Sequence, residues 1–179
     1  MMKKNTLTIL FLVAFAFANG FGLNDLKKFS PIALQQHHGL FQSNGEITKA
    51  QYAEFITGIN KIYGEGSPKS NFVSANTSGN PADAMTGVSF NQVREFCIWA
   101  TEETNKKLQK YKAEHPNEHL PRLVVFRLPS DKEFGKFSDI NNPELTANKV
   151  VAMGKDKSLF KYSDTDVSLA FRVIAETRN

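Results

Sequence analysis

The chain lacks most of the features that announce chemistry. Its 179 residues hold one cysteine, Cys97. A single thiol forms no internal disulfide, so the core alone must hold the fold together. His37 and His38 are adjacent and would diverge on a strand, and Pro116 interrupts the i, i+4 pair His115 and His119. Neither pair has a cysteine beside it, so no zinc site is expected. Charge of one sign is scarce too, at 22 Lys and Arg against 18 Asp and Glu. Lys106, Lys107, Lys110 and Lys112 alternate with Glu102, Glu103 and Glu114. That pattern belongs to a solvated helix face, not a basic stripe, so nucleic acid is not an expected partner. There is no internal repeat, no Gly-rich phosphate loop, no Ser-His-Asp pattern and no paired-carboxylate motif. Asp164 and Asp166 share an Asp-x-Asp without the rest of a calcium loop, and read as a solvated turn.

What is present begins with an export signal. Lys3 and Lys4 precede the apolar run Leu7 to Phe17, and Ala16-Phe17-Ala18 offers a small-x-small cleavage box. These three zones, in this order, are those of a cleavable secretory signal peptide over residues 1–18. The run is shorter than the ~20 residues that a membrane-spanning helix needs. No second long apolar run follows, so no transmembrane span is expected after cleavage near Ala18. The expected location is periplasmic or secreted. Residues 19–179 then form one domain, large enough to bury a core. Loss of Lys3 and Lys4, with no acid, lowers the formal charge from +4 to +2.

Three capping boxes mark helix starts, each a Ser or Thr followed three residues later by Gln or Glu. Thr48 with Gln51 opens the first. Tyr52, Phe55, Ile56, Ile59 and Ile62 then share one face, and Gly64 and Gly66 stop it. Ser89 with Gln92 opens the longest, whose buried stripe is predicted to be Val93, Phe96, Cys97, Ala100, Thr104 and Leu108. His115-Pro116 ends it. Ser130 with Glu133 opens a short third helix. The apolar run Leu123 to Leu128, broken only by Arg127, predicts a central strand. Shorter strands are expected at Leu40 to Gln42, Lys149 to Met153 and Leu159 to Tyr162. Leu169 to Ala175 alternates, with Leu169, Phe171, Val173 and Ala175 on one face. Residues 64–87 are rich in Gly, Ser, Asn and Pro and read as one long loop. The order predicts an α+β fold, with helices packed on a mainly antiparallel sheet.

Four segments resemble one family in the family's own order. Gly45 to Phe55 resembles the "E-V-T-x-x-x-Y-x-x-F" segment of the formylglycine-generating enzyme, or sulfatase-modifying factor, family. Asn80-Pro81, then Gly87-Val88-Ser89-Phe90 through Phe96-Cys97-Ile98-Trp99, resembles its "P-V-x-x-V-S-W-x-x-A-x-x-F-C-x-W". Arg127-Leu128-Pro129-Ser130-Asp131-Lys132-Glu133-Phe134 resembles "R-L-P-T-E-A-E-W". Ala170-Phe171-Arg172-Val173 resembles "G-F-R-V". The resemblance implies the C-type-lectin-like fold of that family. Thr48, Tyr52, Ser89, Phe96, Cys97, Trp99, Arg127, Pro129, Glu133, Phe171 and Arg172 are its structural positions here. Arg127 and Arg172 stand in apolar strands and are expected to pair with carboxylates as internal struts, because an unpaired buried charge is costly.

The departures bear on function. Phe90 and Phe134 stand where the family has tryptophan. Family enzymes carry an "A-R-G" segment, a "W-G" segment, calcium-binding loops and a late cysteine pair before the closing motif. Only Gly135 to Leu169 fills that interval here, without any of them. As the resemblance implies, the family's oxidation of a substrate cysteine uses copper held by two thiolates. Cu(I) selects thiolates, and one thiol cannot supply two. The expectation is therefore a non-enzymatic binding or scaffold module without catalytic residues, metal or cofactor. Its expected partner is a protein or another envelope component. The contact surface is expected on residues 64–87, through Asn71, Phe72, Asn76 and Asn80, with Asp139 to Asn148 as a second candidate. The alternative reading is a divergent oxidoreductase, or a subunit whose partner completes the active site.

Overall fold

The computed structural model describes residues 23–37, 39–137, 143–148, 150–153, 158–161 and 169–178. Helix α1 (Leu23–Phe29) leads into the hairpin of β1 (Leu34–His37) and β2 (Leu40–Ser43). Helices α2 (Lys49–Tyr63), α3 (Pro68–Val73) and α4 (Phe90–Glu114) follow. Then come β3 (Leu123–Arg127), α5 (Asp131–Phe134), β4 (Glu144–Leu145), β5 (Val150–Met153), β6 (Ser158–Lys161) and β7 (Ile174–Arg178). The signal-peptide segment, His38, Asp164 and Asp166 lie outside the described residues.

The architecture is α+β, with helices packed on an antiparallel four-stranded sheet ordered β1-β2-β7-β3. A second antiparallel sheet is ordered β4-β5-β6, and Glu144 of β4 makes a parallel bridge to Ala170, in the segment ahead of β7. All three capping boxes form. The Thr48, Ser89 and Ser130 side chains each accept from the backbone N–H three residues on, and the residue there reaches back to the cap N–H. Two first-turn donors of α2 would otherwise be orphaned. Lys49 N–H donates to the Asp83 carbonyl at 2.9 Å and Ala50 N–H to that of Pro81 at 3.0 Å. Gly64 closes α2 with φ +86°, a conformation that glycine adopts without penalty.

The predicted stripe of α4 is buried throughout, and Trp99 joins it. On α2, Tyr52, Phe55 and Ile59 are buried, but Ile62 is 58% exposed. Helical periodicity continues to the last turn, whereas the neighbouring core does not reach that far.

Three sequence readings need correction. Strand β3 lies at the end of its sheet, not in the centre. It resembles an interior strand because α4 replaces the missing neighbour. Asn105 of α4 donates from Nδ2 to the Val124 carbonyl at 2.6 Å and accepts from Val124 N–H at 2.9 Å. Thr101 Oγ1 accepts from Phe126 N–H at 2.8 Å. The edge is satisfied by side chains of a covering helix. Second, residues 64–87 are not one loop, because α3 sits among them with Ser67 as cap and Pro68 in its first turn. Third, the last strand is Ile174–Arg178, not 169–175. Residues 169–173 are buried on every side, so their alternation distinguishes no two faces. Instead, the Phe171 and Val173 carbonyls accept from Ile47 and Ser43 N–H.

Candidate functional site

The family-like segments converge on the core. Tyr52 stacks on Phe96 with centroids 5.9 Å apart, and Phe171 meets Phe96 edge-on at 5.4 Å. Trp99 packs against Phe55 and Phe96. The Tyr52 hydroxyl donates to the Val73 carbonyl, which ties α3 to this cluster. Burial pushes the Tyr52 phenol up. These side chains have roles in packing.

The two arginines take carboxylate partners. Arg127 makes a two-pronged contact with Glu133, both bonds at 2.7 Å, and reaches Glu176 from Nε at 2.7 Å. Glu133 also accepts from Ser130 N–H and Oγ, so one carboxylate serves strut and helix cap together. The Arg127 guanidinium holds the Glu133 carboxyl at about 2. Arg172 and Glu144 are fully buried and joined by bonds of 2.7 and 2.6 Å. The Arg172 guanidinium also lies over the Phe137 ring, 4.6 Å from its centre. The Pro129 carbonyl accepts from Ala147 N–H at 2.8 Å, which fastens the chain ahead of the Ser130 cap.

Segment 64–87 is pinned rather than loose. Gln92 Nε2 of α4 donates to the Phe72 carbonyl at 3.0 Å and the Ser74 carbonyl at 3.1 Å. Lys69 pairs with Glu95, and Lys49 Nζ donates to the Ser78 carbonyl. Asn71 Nδ2 donates to the Gly66 carbonyl. Asn76 Oδ1 accepts from Ser78 N–H and Asn80 Oδ1 from Ala82 N–H, so both asparagines shape turns. Phe72 is the apolar residue of the four, and it is 45% exposed. The structure thus places Asn71, Phe72, Asn76 and Asn80 on one ordered segment, with Asn71 and Phe72 on α3 itself. The second candidate, 139–148, falls partly outside the described residues.

Cys97 belongs to the stripe expected in the core, and at 6% exposure it is buried. Burial pushes its thiol up to about 12, so it stays protonated at neutral pH. A copper site of the two-thiolate kind does not fit this chain, whose one sulfhydryl is protonated and sunk in a helix face. Among the described residues, no three His, Cys, Asp or Glu side chains gather to hold a metal. No helix there is long and apolar enough to cross a membrane.

Sequence reasoning missed a cleft of about 240 Å³ between α4 and the end of β3. Phe90, Arg94, Cys97 and Ile98 line it from α4, and Phe126, Arg127, Leu128 and Ala147 from the opposite wall. The available signal was Arg94 and Ile98, four residues apart beside the buried stripe of α4.

Against known proteins, one family model matches, described as "Sulfatase-modifying factor enzyme 1-like domain", over residues 14–139. That span includes all three capping boxes and Arg127, and ends before Phe171 and Arg172. No curated protein and no solved structure matches the chain.

Proposed function

Because the chain belongs to the sulfatase-modifying factor enzyme 1-like family, we propose that it uses the fold as an exported, non-enzymatic binding module of the cell envelope. The observation that carries this reading is the state of segment 64–87. It is fastened to α2 and α4 at several points and still presents Phe72 to solvent. A preorganised surface with an exposed aromatic anchor is what protein recognition uses, since little ordering entropy remains to be lost on binding. The donor set supports the same reading. A single protonated thiol provides neither a copper pair nor a nucleophile at neutral pH. Export rests on the Lys3-Lys4 start, the apolar run and the Ala16-Phe17-Ala18 box.

The test is a pull-down from envelope extract with the processed chain and with Asn71, Phe72, Asn76 and Asn80 changed singly to alanine. Phe72→Ala is expected to lose the partner, and the asparagine variants to weaken it less. Retention of every partner by all four variants sinks the assignment to this segment. Stoichiometric, tight Cu(I) binding that disappears in Cys97→Ser would overturn the non-enzymatic reading itself.

A further inference from the structure

The cleft between α4 and β3 is a separate surface from segment 64–87. Phe90, Arg94, Cys97 and Ile98 recur at the spacing of one helical stripe, while Gln92 and Glu95, which hold the segment, lie off it. The floor is apolar, formed by Phe90, Phe126 and Leu128, with Ile98 47% exposed at the rim. Two arginines line the cleft, and they differ in what they are free to do. Arg127 is committed to Glu133 and Glu176. Arg94 is exposed and has no ion-pair or hydrogen-bond partner among the described residues. Among the described residues, no acidic side chain lines the cleft.

An apolar hollow with one uncommitted guanidinium, and no acid among its described lining residues, complements one kind of molecule. We propose that this cleft binds a short aliphatic carboxylate, its chain on Phe90, Phe126 and Leu128 and its headgroup on Arg94. The guanidinium fork matches a carboxylate in two parallel hydrogen bonds. A volume of about 240 Å³ suits a small molecule of this kind. The protonated Cys97 thiol adds to the apolar lining and offers no competing charge. This site goes beyond the binding-module reading and stands or falls without it.

The experiment is calorimetric titration of the processed chain with octanoate, and in parallel with octanol and octylammonium. Octanoate is expected to bind one to one, and the other two at least about tenfold more weakly. Arg94→Gln should remove that preference, and Ile98→Ser should weaken octanoate while keeping it. Phe72→Ala, on the other surface, should leave octanoate binding unchanged. Equal binding of octanol and octanoate overturns the proposal. So does unchanged octanoate affinity in Arg94→Gln, or no octanoate binding by a chain that unfolds cooperatively on heating.

Discussion

The two faces of the four-stranded sheet are held by different physics. On one, Val124, Phe126 and Ala175 pack into the large cluster with Tyr52, Phe55, Phe96 and Trp99. On the other, Leu40, Phe134, Phe137 and Ile174 form a smaller apolar cap among the described residues. Around that cap run charges: Arg172 with Glu144, and Arg127 with Glu133 and Glu176. A hydrophobic face loses stability in proportion to what is removed, because burial is non-directional and roughly additive in area. An ionic face responds differently. Removing one partner leaves the other without its counter-charge, and the loss exceeds the net worth of the pair.

The largest effect should therefore come from the smaller face. Arg172→Met alone removes the counter-charge that Glu144 meets at 2.6 and 2.7 Å, both partners being fully buried in the native chain. Breaking a pair of this kind costs about 3–5 kcal/mol. That is a large part of a domain's stability of roughly 5–15 kcal/mol. Urea unfolding should show the midpoint fall sharply, with much of the loss recovered in the double variant Arg172→Met/Glu144→Leu. A single variant no less stable than the double one would break the comparison, since the ionic face would then behave like the apolar one.

Much of this was legible in the chain, and the illegible part has a common cause. Thr48, Ser89 and Ser130 announce their helices because a cap is a local device, complete within four residues. The stripe on α4 is legible for the same reason. Arg127 and Arg172 could be read as paired, because charge in an apolar run demands a partner. Their partners could not be named, since Glu144 and Glu176 come from other strands. The position of β3 was misread because its edge is closed by Asn105 and Thr101, whose contacts cross 19 and 25 positions of sequence. The candidate contact residues were legible as an Asn-rich segment, but α3 within it was not singled out. The α4 cleft exists only where helix and strand meet, so no run of residues encodes it.

The apolar face offers the second test. Gly58 faces Trp99 where α2 meets α4, and a Cβ there would stand 2.6 Å from Nε1 and 3.3 Å from Cε2 of the indole. The ring is held by Phe55 and Phe96 and has little room to yield. Gly58→Ala gains about 1 kcal/mol in helix propensity. Overpacking opposes it by about 1–3 kcal/mol. The expected result is a net loss of about 1 kcal/mol, with altered Trp99 fluorescence in the folded chain. Stabilisation by Gly58→Ala would mean that this face is softer than its dense aromatic contacts imply.

The smallest effect separates the two ion pairs within the charged face. Arg127 is 31% exposed, so solvent screens it, and Arg127→Gln should cost only about 1 kcal/mol at neutral pH. Its signature lies in acid. The Glu133 carboxyl sits at about 2 when folded, against an ordinary 4.5, chiefly because Arg127 hydrogen-bonds it. Glu176 is lowered by the same guanidinium. A depressed folded-state pKa gives stability that is fully present above the unfolded value and lost as pH falls through the folded one. The native chain should therefore lose this contribution progressively from about pH 4.5 toward pH 2. In Arg127→Gln the carboxyls return toward their ordinary range, and the slope of stability against pH in that window should flatten. Denaturant midpoints measured across the window decide it. An unchanged slope would show that Arg127 does not set the acid response of this face, and would leave the Ser130 cap as the remaining hold on Glu133.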